Sequence, residues 1–249
     1  MIDKSSYWNG VYETKGEDEV SWFQKNPEPS LEFVRRYALD QSASIIDIGG
    51  GASRLIDHLL TDGFHNVTVM DISSEAIAIA RERIGNSETS VKWIISDVTK
   101  WQPNDCSDIW HDRAVFHFLT ELSDQTAYIE TLKRALKSGG YLVMATFALD
   151  GPKKCSGLPV MRHDSNSLQN LLGSSFKLIE TRNHDHQTPF QTIQLFQYSI
   201  FQFLLHTSLF LLNNFASCFY VVLAKSNFYA RFQLTSLLLH YECLQHYPY

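Results

Sequence analysis

The sequence predicts an α/β fold, a Rossmann-like doubly wound sheet that is mostly parallel. Three observations predict it. Short apolar runs alternate with helix-forming stretches from residue 45 onwards, which is the pattern of parallel strands joined by crossover helices. The first run, Ile45–Ile48, leads directly into the glycine turn Gly49-Gly50-Gly51. A second buried run, Val67–Asp71, ends in an acid 22 positions after Gly49.

Residues 1–40 are polar and aromatic and form a lead-in segment. Its last part has helical spacing, with Pro29 at the start and Leu31, Val34 and Leu39 on one face. The regular alternation follows this segment. Its predicted elements, in order, are strand Ile45–Ile48, a helix near Arg54–Thr61, strand Val67–Asp71, a helix near Ser74–Ile84, strand Val91–Ser96, strand Ser107–His111, helix Asp124–Leu136, strand Tyr141–Phe147, a helix near Ser165–Leu172, and strands near Lys177–His184 and Thr192–Phe201.

The stretch Ser138-Gly139-Gly140 is predicted to stop the helix before it, with Gly139 as the C-cap. Glycine is favoured there because a helix commonly ends in a residue with positive φ.

Composition narrows the class of protein. The net charge of −6 over 249 residues argues against a dedicated nucleic-acid binder, which would show a basic face. The four cysteines are far apart without a CxxC pair, so neither a zinc site nor a disulfide framework is predicted. With no signal peptide apparent at the N-terminus, a cytoplasmic location is expected.

The C-terminal part of the chain is unusually apolar. Residues 187–224 contain no Asp, Glu, Lys or Arg, and Tyr198–Ala224 has the length and apolarity of a membrane span. Such a span conflicts with the last strand unless it begins near Phe203, so membrane contact is expected only through residues 203–224. Three interpretations stay open: a membrane or partner-binding helix, an aberrant extension, or added core. The predicted divisions are therefore 1–40, 41–203 and 204–249.

The glycine turn indicates a nucleotide-type ligand. Glycines let a ligand approach the backbone, and the following helix begins with unpaired amide groups. Dinucleotide enzymes place a third glycine at the position occupied here by Arg54, so their Gly-x-Gly-x-x-Gly pattern is not met. The chain instead has Asp47-x-Gly49-x-Gly51-x-Ser53.

Asp71 is the candidate ligand for a ribose diol, because a carboxylate at the end of the second strand can accept two hydrogen bonds from it. The alternative is a helix N-cap acid, a role for which Ser73 competes. Asp47 either orients the glycine turn and the ligand or is a buried structural acid that holds the turn.

The motif Asp47-x-Gly49-x-Gly51-x-Ser53 resembles motif I of the class I, seven-strand S-adenosylmethionine (SAM) methyltransferases. Together with Asp71-Ile72-Ser73 and an aromatic lead-in, it resembles the branch that contains translation-factor lysine methyltransferases and small bacterial relatives. The resemblance implies SAM as the cofactor and an antiparallel C-terminal hairpin strand. It also implies which residues bind the cofactor: Trp8, Tyr12, Trp22, Asp47, Gly49, Gly50, Gly51, Asp71, Ile72, Asp97, Val98 and Asp112.

Within that set, the resemblance puts Asp97 near the adenine amino group and Trp8, Tyr12 and Trp22 in a wall around SAM. The alternatives are a solvated loop acid for Asp97 and ordinary packing of a capping helix for the three aromatic residues.

Residues 107–119 cover the fourth strand and its exit, where open α/β sheets place reactive groups. His111 or His117 is a candidate general base, and Asp112 is a candidate contact to SAM or substrate. His117 lies among apolar residues, so a packed histidine is the alternative. The lysine-directed relatives tend to carry acid-lysine-glycine here, and His111-Asp112-Arg113 departs from that.

The loop Asp150–Pro159 is predicted to form a lid, whereas His184-Asp185-His186 lacks a third ligand and predicts no metal site. The predicted function is transfer of a methyl group from SAM to a small molecule or a protein side chain. Two rivals are an NAD(P)-dependent oxidoreductase and a scaffold that keeps the pocket without turnover, either as a SAM-fold protein or as a membrane-tethered binding protein.

Overall fold

The alternation of strands and helices is present in the structure, a computed structural model that describes residues 3–204. Short apolar strands and amphipathic helices occur in the predicted order. The elements are α1 (Lys4–Thr14), α2 (Ser30–Tyr37), β1 (Ile45–Ile48), α3 (Leu55–Thr61), β2 (Val67–Asp71), α4 (Ser74–Ile84), β3 (Val91–Ile95), β4 (Ser107–Arg113), α5 (Leu122–Ala135), β5 (Leu136–Phe147), β6 (Lys154–Cys155), β7 (Leu158–Pro159), α6 (Ser165–Leu172), β8 (Phe176–Gln187) and β9 (Ile193–Phe203).

The main sheet has seven strands in the order β3-β2-β1-β4-β5-β9-β8. Strands β1 to β5 are parallel, and β9 runs antiparallel to both β5 and β8. The predicted Rossmann-like, mostly parallel sheet with an antiparallel closing strand is therefore confirmed. The strand order reverses between β1 and β4, where Ile48 pairs with Met70 on one side and Asp112 on the other. A cleft is expected at such a reversal, outside the carboxyl ends of the strands.

Apolar side chains fill both faces of this sheet because successive strand residues point to opposite sides. On one face Ile45 and Ile109 pack beneath helices α2, α3 and α4. On the other face Ile46 and Trp110 pack beneath α5 and α6. The sheet is thus covered by helices on both sides, which leaves its carboxyl edge as the place for a ligand.

The lead-in contains one helix that the sequence did not predict. Helix α1 buries none of its own residues, so its sequence carries no apolar face that periodicity would detect. Helix α2 was predicted, but it ends at Tyr37. Leu39 lies beyond that end and is 86% exposed, so its predicted place on the helix face is wrong.

The prediction that Gly139 caps a helix is also wrong. Helix α5 ends at Ala135, and Leu136 is already extended and paired with Ser107 of β4. Leu136 is buried, so the chain passes directly from helix to sheet without a glycine cap. Gly139 does have a positive φ of 84°, but it lies inside β5, beside the shift in register between Ser107 and Ile109.

The first residues of the apolar stretch Tyr198–Ala224 belong to strand β9. Tyr198, Ile200 and Phe201 are buried in the sheet, so a membrane span that begins at Tyr198 is wrong at its start. Among residues 3–204, no helix is both long and apolar enough to cross a membrane. The three interpretations of residues 204–249, and most of the proposed 203–224 contact, fall outside the described residues.

Candidate functional site

A cleft of about 970 Å³, measured to its open mouth, lies at the carboxyl ends of β1 to β4. Residues from the lead-in, the strand ends and the closing hairpin contribute to it. The lining consists of Lys4, Trp8, Tyr12, Trp22, Ile48, Gly49, Met70, Asp71, Ile72, Ser96, Asp97, Val98, Arg113, Ala114, Val115, Phe118, Leu119, Cys155, Gln194 and Phe196.

Gly49 forms part of the floor of the cleft, whereas Gly50 and Gly51 do not line it. Gly49 has a φ of 67°, and its N–H donates to the Met70 carbonyl at 2.7 Å. A Cβ at Gly49 would lie 2.1 Å from Cγ2 of Val115, and one at Gly51 would lie 2.5 Å from Oδ2 of Asp71. Glycine is required at both positions because neighbouring side chains already occupy the space. The turn thereby brings open backbone next to the Asp71 carboxylate.

Asp71 does not cap helix α4. The Ser73 hydroxyl is the N-cap and accepts from the Ala76 N–H at 3.1 Å. Oδ1 of Asp71 accepts from the Ser73 N–H at 2.8 Å, and the carboxylate lines the cleft. Asp71 is only 7% exposed, and burial raises its pKa to about 7. The N-cap alternative is thus wrong, and the carboxylate remains accessible to a ligand in the cleft.

Asp97 lines the same cleft from the end of β3, with Ile72 and Val98 as apolar neighbours. Its Oδ1 accepts from the N–H and the hydroxyl of Thr99 at 2.9 and 2.7 Å. Burial alone would raise the pKa of Asp97, but the hydrogen bonds from Thr99 outweigh it and the pKa lies below its usual value. Asp97 is therefore ionised near neutral pH, whereas the raised pKa of Asp71 lets that carboxylate keep its proton to a higher pH.

Trp8, Tyr12 and Trp22 from the lead-in form an aromatic wall of the cleft. The ring of Trp22 lies 5.7 Å from that of Trp8 and 6.3 Å from that of Tyr12, in edge-to-face arrangements. Burial raises the pKa of Tyr12, so its phenol is neutral. The structure thus brings together the three residues that the resemblance assigned to a cofactor wall.

Asp47 and His111 lie deeper, beside a second cavity of about 590 Å³ that Gly50 also lines. Nδ1 of His111 is 2.6 Å from Oδ1 of Asp47, and its Nε2 is 2.9 Å from the Ser30 hydroxyl. Both ring nitrogens are engaged, and His111 does not line the main cleft. These contacts favour the structural role for Asp47 and place His111 away from any proton transfer in that cleft.

The prediction that Asp112 contacts SAM or substrate is contradicted by its position. Asp112 is fully buried and faces helix α5. It accepts from the N–H groups of Val115 and Phe116 at 2.8 and 3.1 Å and from the Tyr128 hydroxyl at 2.5 Å. These hydrogen bonds hold the turn after β4, and no part of Asp112 lines the cleft.

His117 is likewise fully buried, packed edge-on against Phe118 and tilted against Phe147. Burial lowers its pKa to about 3, so it is neutral, and it does not line the cleft. The packed-histidine alternative therefore describes His117, and the prediction of a general base at this position is contradicted.

The cleft residues that were not assigned to the site from the sequence include Arg113, Cys155, Gln194 and Phe196. Cys155 belongs to a small hairpin, β6 with β7, inside the loop predicted to be a lid. The Tyr7 hydroxyl of α1 donates to the Ser156 carbonyl at the tip of that hairpin. Gln194 and Phe196 are two apart on β9, a period-two signal that indicates a shared face but not what that face adjoins. Among residues 3–204, no cluster of three or more His, Cys, Asp or Glu side chains is arranged to hold a metal ion.

Comparisons with known proteins give consistent matches. Residues 45–140 match a family model described as "Methyltransferase domain". The chain is 27% identical to malonyl-[acyl-carrier protein] O-methyltransferase 2 of Ilyobacter polytropus over 60% of this chain and 57% of that protein. It is 23% identical to mouse EEF1A lysine methyltransferase 2 over 56% of this chain and 64% of that protein. The chain thus spans less than two thirds of either relative.

Solved structures match the fold over more of the chain. The N-methyltransferase NodS from Bradyrhizobium japonicum WM9, in complex with S-adenosyl-L-homocysteine (SAH), superimposes with a TM-score of 0.59 and 16% identity, covering 78% of this chain and 97% of that chain. A SAM-dependent methyltransferase from Anabaena variabilis gives a TM-score of 0.65 and 12% identity, covering 82% and 96%.

Proposed function

We propose that this protein transfers a methyl group from SAM to an acceptor. The proposal rests on the methyltransferase domain at residues 45–140 and on the seven-strand methyltransferase fold. Together they confirm the predicted family resemblance and SAM as its cofactor. The observation that carries the proposal is the pairing of an open glycine turn with a buried carboxylate at the end of the next strand. Gly49 and Asp71 both line the cleft, so a ligand there reaches both backbone and acid.

The residues of the cleft fit the chemical groups of SAM. Asp71 offers a carboxylate to the ribose diol, and Asp97 with Val98 offers a polar and an apolar contact to the adenine. The turn at Gly49 admits the amino acid portion close to the backbone. Trp8 and Trp22 exclude water from one side. When bound, SAM supplies a methyl group on a positively charged sulfur.

The transfer needs little acid-base chemistry from the protein. The acceptor atom forms a bond to the methyl carbon as the carbon–sulfur bond breaks, sulfur keeps that electron pair, and the acceptor's proton leaves. None of the described residues that line the cleft is a histidine. We therefore infer that the protein acts mainly by holding the reactants in line, an effect that can supply a large share of the rate, and that solvent takes the proton.

Replacing Gly49 by alanine should abolish measurable SAH binding. The new Cβ would collide with Val115 on the floor of the cleft, whereas Gly139→Ala introduces the same positive-φ strain where nothing lies within 4 Å. Both variants should lose about 1 kcal/mol of unfolding free energy from backbone strain, and Gly49→Ala should lose more because of the collision. Calorimetric titration should show the loss of SAH affinity in Gly49→Ala alone, and equal affinities would contradict the proposed floor.

The first test of the proposed function is calorimetric titration of the full chain with SAH, with NAD as the control ligand. Micromolar SAH binding without NAD binding supports a methyltransferase, and the reverse result supports the oxidoreductase rival. Turnover is then tested with labelled SAM and a cell extract fractionated by size. SAH binding without any methylated product would favour the scaffold rival.

The class of acceptor is not decided by the relatives. Their names describe methylation of an oxygen of malonyl-[acyl-carrier protein] and of a lysine of EEF1A, which are different chemistries. We propose either a small molecule or a protein side chain as the acceptor. The expected cytoplasmic location and a membrane contact through residues 203–224 are also part of the proposal.

A further inference from the structure

Arg113 is a half-buried cation with two unused donors. It follows Asp112 at the end of β4 and reaches the cleft. Its Nη1 donates to the Trp22 carbonyl at 2.9 Å, and its Cζ lies 4.9 Å from the centre of the Phe196 ring. Its Nε and Nη2 are buried without a partner among the described residues. Leaving such donors unpaired is costly, so their retention at a cleft indicates a ligand that pairs with them.

Gln194 adds an unused hydrogen-bond acceptor on the same side of the cleft as Arg113. Its Nε2 donates to the Ser21 hydroxyl at 3.2 Å, which fixes the amide and leaves Oε1 buried without a partner in the described part of the chain. Gln194 and Phe196 come from β9, so the wall combines β4, β9 and the lead-in residue Trp22.

Charge divides the cleft into two halves. Both carboxylates of the lining, Asp71 and Asp97, stand at the ends of β2 and β3. Strand β9 lies on the other side of β1 in the sheet, beyond β4 and β5. On that side Cys155 adds no charge at neutral pH, because burial raises the pKa of its thiol to about 11. The half of the cleft opposite the acids is therefore cationic and aromatic.

We propose that this half, formed by Arg113, Gln194, Trp22 and Phe196 and called here the anion wall, binds a small, flat methyl acceptor that carries a carboxylate or similar anionic group. The inference rests on the proposed function and names its acceptor class. A guanidinium pairs with a carboxylate through two parallel N–H···O bonds, and here Nε and Nη2 are the two free donors. Oε1 of Gln194 accepts from an O–H or N–H elsewhere on the acceptor, and the aromatic faces hold its flat body.

The anion wall disfavours a lysine side chain as the acceptor. An ammonium entering this half would approach Arg113, whereas Asp71 and Asp97, the acids that line the main cleft, lie in the other half. Burying like charges together in a site that excludes water costs more than it does in solvent.

The test uses three phenols of similar size whose second substituent is anionic, neutral or cationic: 4-hydroxybenzoate, 4-hydroxybenzyl alcohol and 4-hydroxybenzylamine. Each is titrated into the full chain saturated with SAH, with binding followed by calorimetry. The acid should bind at least tenfold more tightly than the alcohol, and the amine should bind most weakly. Arg113→Gln should remove this preference, whereas its SAH affinity and melting temperature should change little. Arg113→Lys should keep part of the preference.

Lys154→Gln is the matched control, because Lys154 carries the same charge on the nearby hairpin but is exposed and does not line the cleft. It should leave the preference for the acid intact. Equal binding of all three probes, binding of none, or a preference for the amine overturns the anion wall. Loss of SAH affinity in Arg113→Gln would assign the guanidinium to the cofactor and overturn the acceptor class alone. If the wild-type protein binds no SAH, the proposed function itself fails and the anion wall with it.

Discussion

Asp71→Asn should weaken SAH binding by about 100-fold. The ionised carboxylate can accept two hydrogen bonds from a ribose diol, and hydrogen bonds to charged groups contribute about 1.5–3 kcal/mol each. The amide loses the charge and one of the two acceptor oxygens, so a loss of roughly 3 kcal/mol, or about two orders of magnitude in affinity, is expected. Calorimetric titration with SAH at pH 8 measures it directly.

The same carboxylate should make SAH binding depend on pH. Burial raises the pKa of Asp71 to about 7, and the diol pairs with the deprotonated form. Wild-type affinity should therefore be about tenfold weaker at pH 6 than at pH 8. Asp71→Asn should show no such slope. Asp97→Asn is the control that should keep it, because the pKa of Asp97 lies below its usual value and this acid stays ionised across the range. A slope that survives in Asp71→Asn would exclude Asp71 as its source.

The raised pKa of Asp71 also lowers the stability of the folded protein as the pH rises. The folded protein holds a proton on Asp71 up to pH 7, whereas the unfolded chain releases it near pH 4. The contribution to stability is therefore present below pH 4 and lost as the pH rises to 7. Asp71→Asn should melt at a higher temperature than the wild-type protein at pH 8, with little difference at pH 4. A residue that weakens the empty protein while strengthening ligand binding is typical of a functional site.

His111→Leu should lower the free energy of unfolding by about 3–5 kcal/mol. His111 stands in a buried chain of hydrogen bonds that runs from Asp47 through the histidine to Ser30, whose hydroxyl is 3.1 Å from that of Tyr198. The chain joins β1, β4, α2 and β9. Leucine leaves the Asp47 carboxylate and the Ser30 hydroxyl without this partner, and removing one member of a buried pair has costs of this size. Urea denaturation followed by tryptophan fluorescence measures the change.

His117→Leu is the matched control for that prediction. His117 is as buried as His111, but its Nε2 has no partner within the described residues, and its Nδ1 accepts only a long 3.4 Å bond from the Phe147 N–H. Its replacement should change the unfolding free energy by no more than about 1 kcal/mol. The variant should still bind SAH, since His117 lies away from the cleft. Equal destabilisation by the two substitutions would show that packing, rather than the hydrogen-bond chain, carries the effect.

The sequence by itself determined the sheet and the strand ends that line one side of the cleft, and its resemblance to the methyltransferases implied the cofactor. These are local properties: strand runs, the helix start after a glycine turn, and acids at the ends of β2 and β3 are each visible within a few residues. Parallel strands bring their carboxyl ends together, so the order of these elements is enough to place Gly49, Asp71 and Asp97 at one edge. The same local reasoning misassigned Gly139, because the pairing of Leu136 with Ser107 is not a local property.

Only the tertiary structure decided which residues at the end of β4 face a ligand. Strand residues alternate between faces, and covering helices lie on both faces of this sheet. His111 therefore turns towards α2 and Asp112 towards α5, and both are buried, whereas Arg113 reaches the cleft. Arg113 contacts Trp22 and Phe196, which are about 90 and 80 positions away in the chain. No spacing in the sequence joins them, since their contact is set by how the lead-in and β9 pack against the sheet.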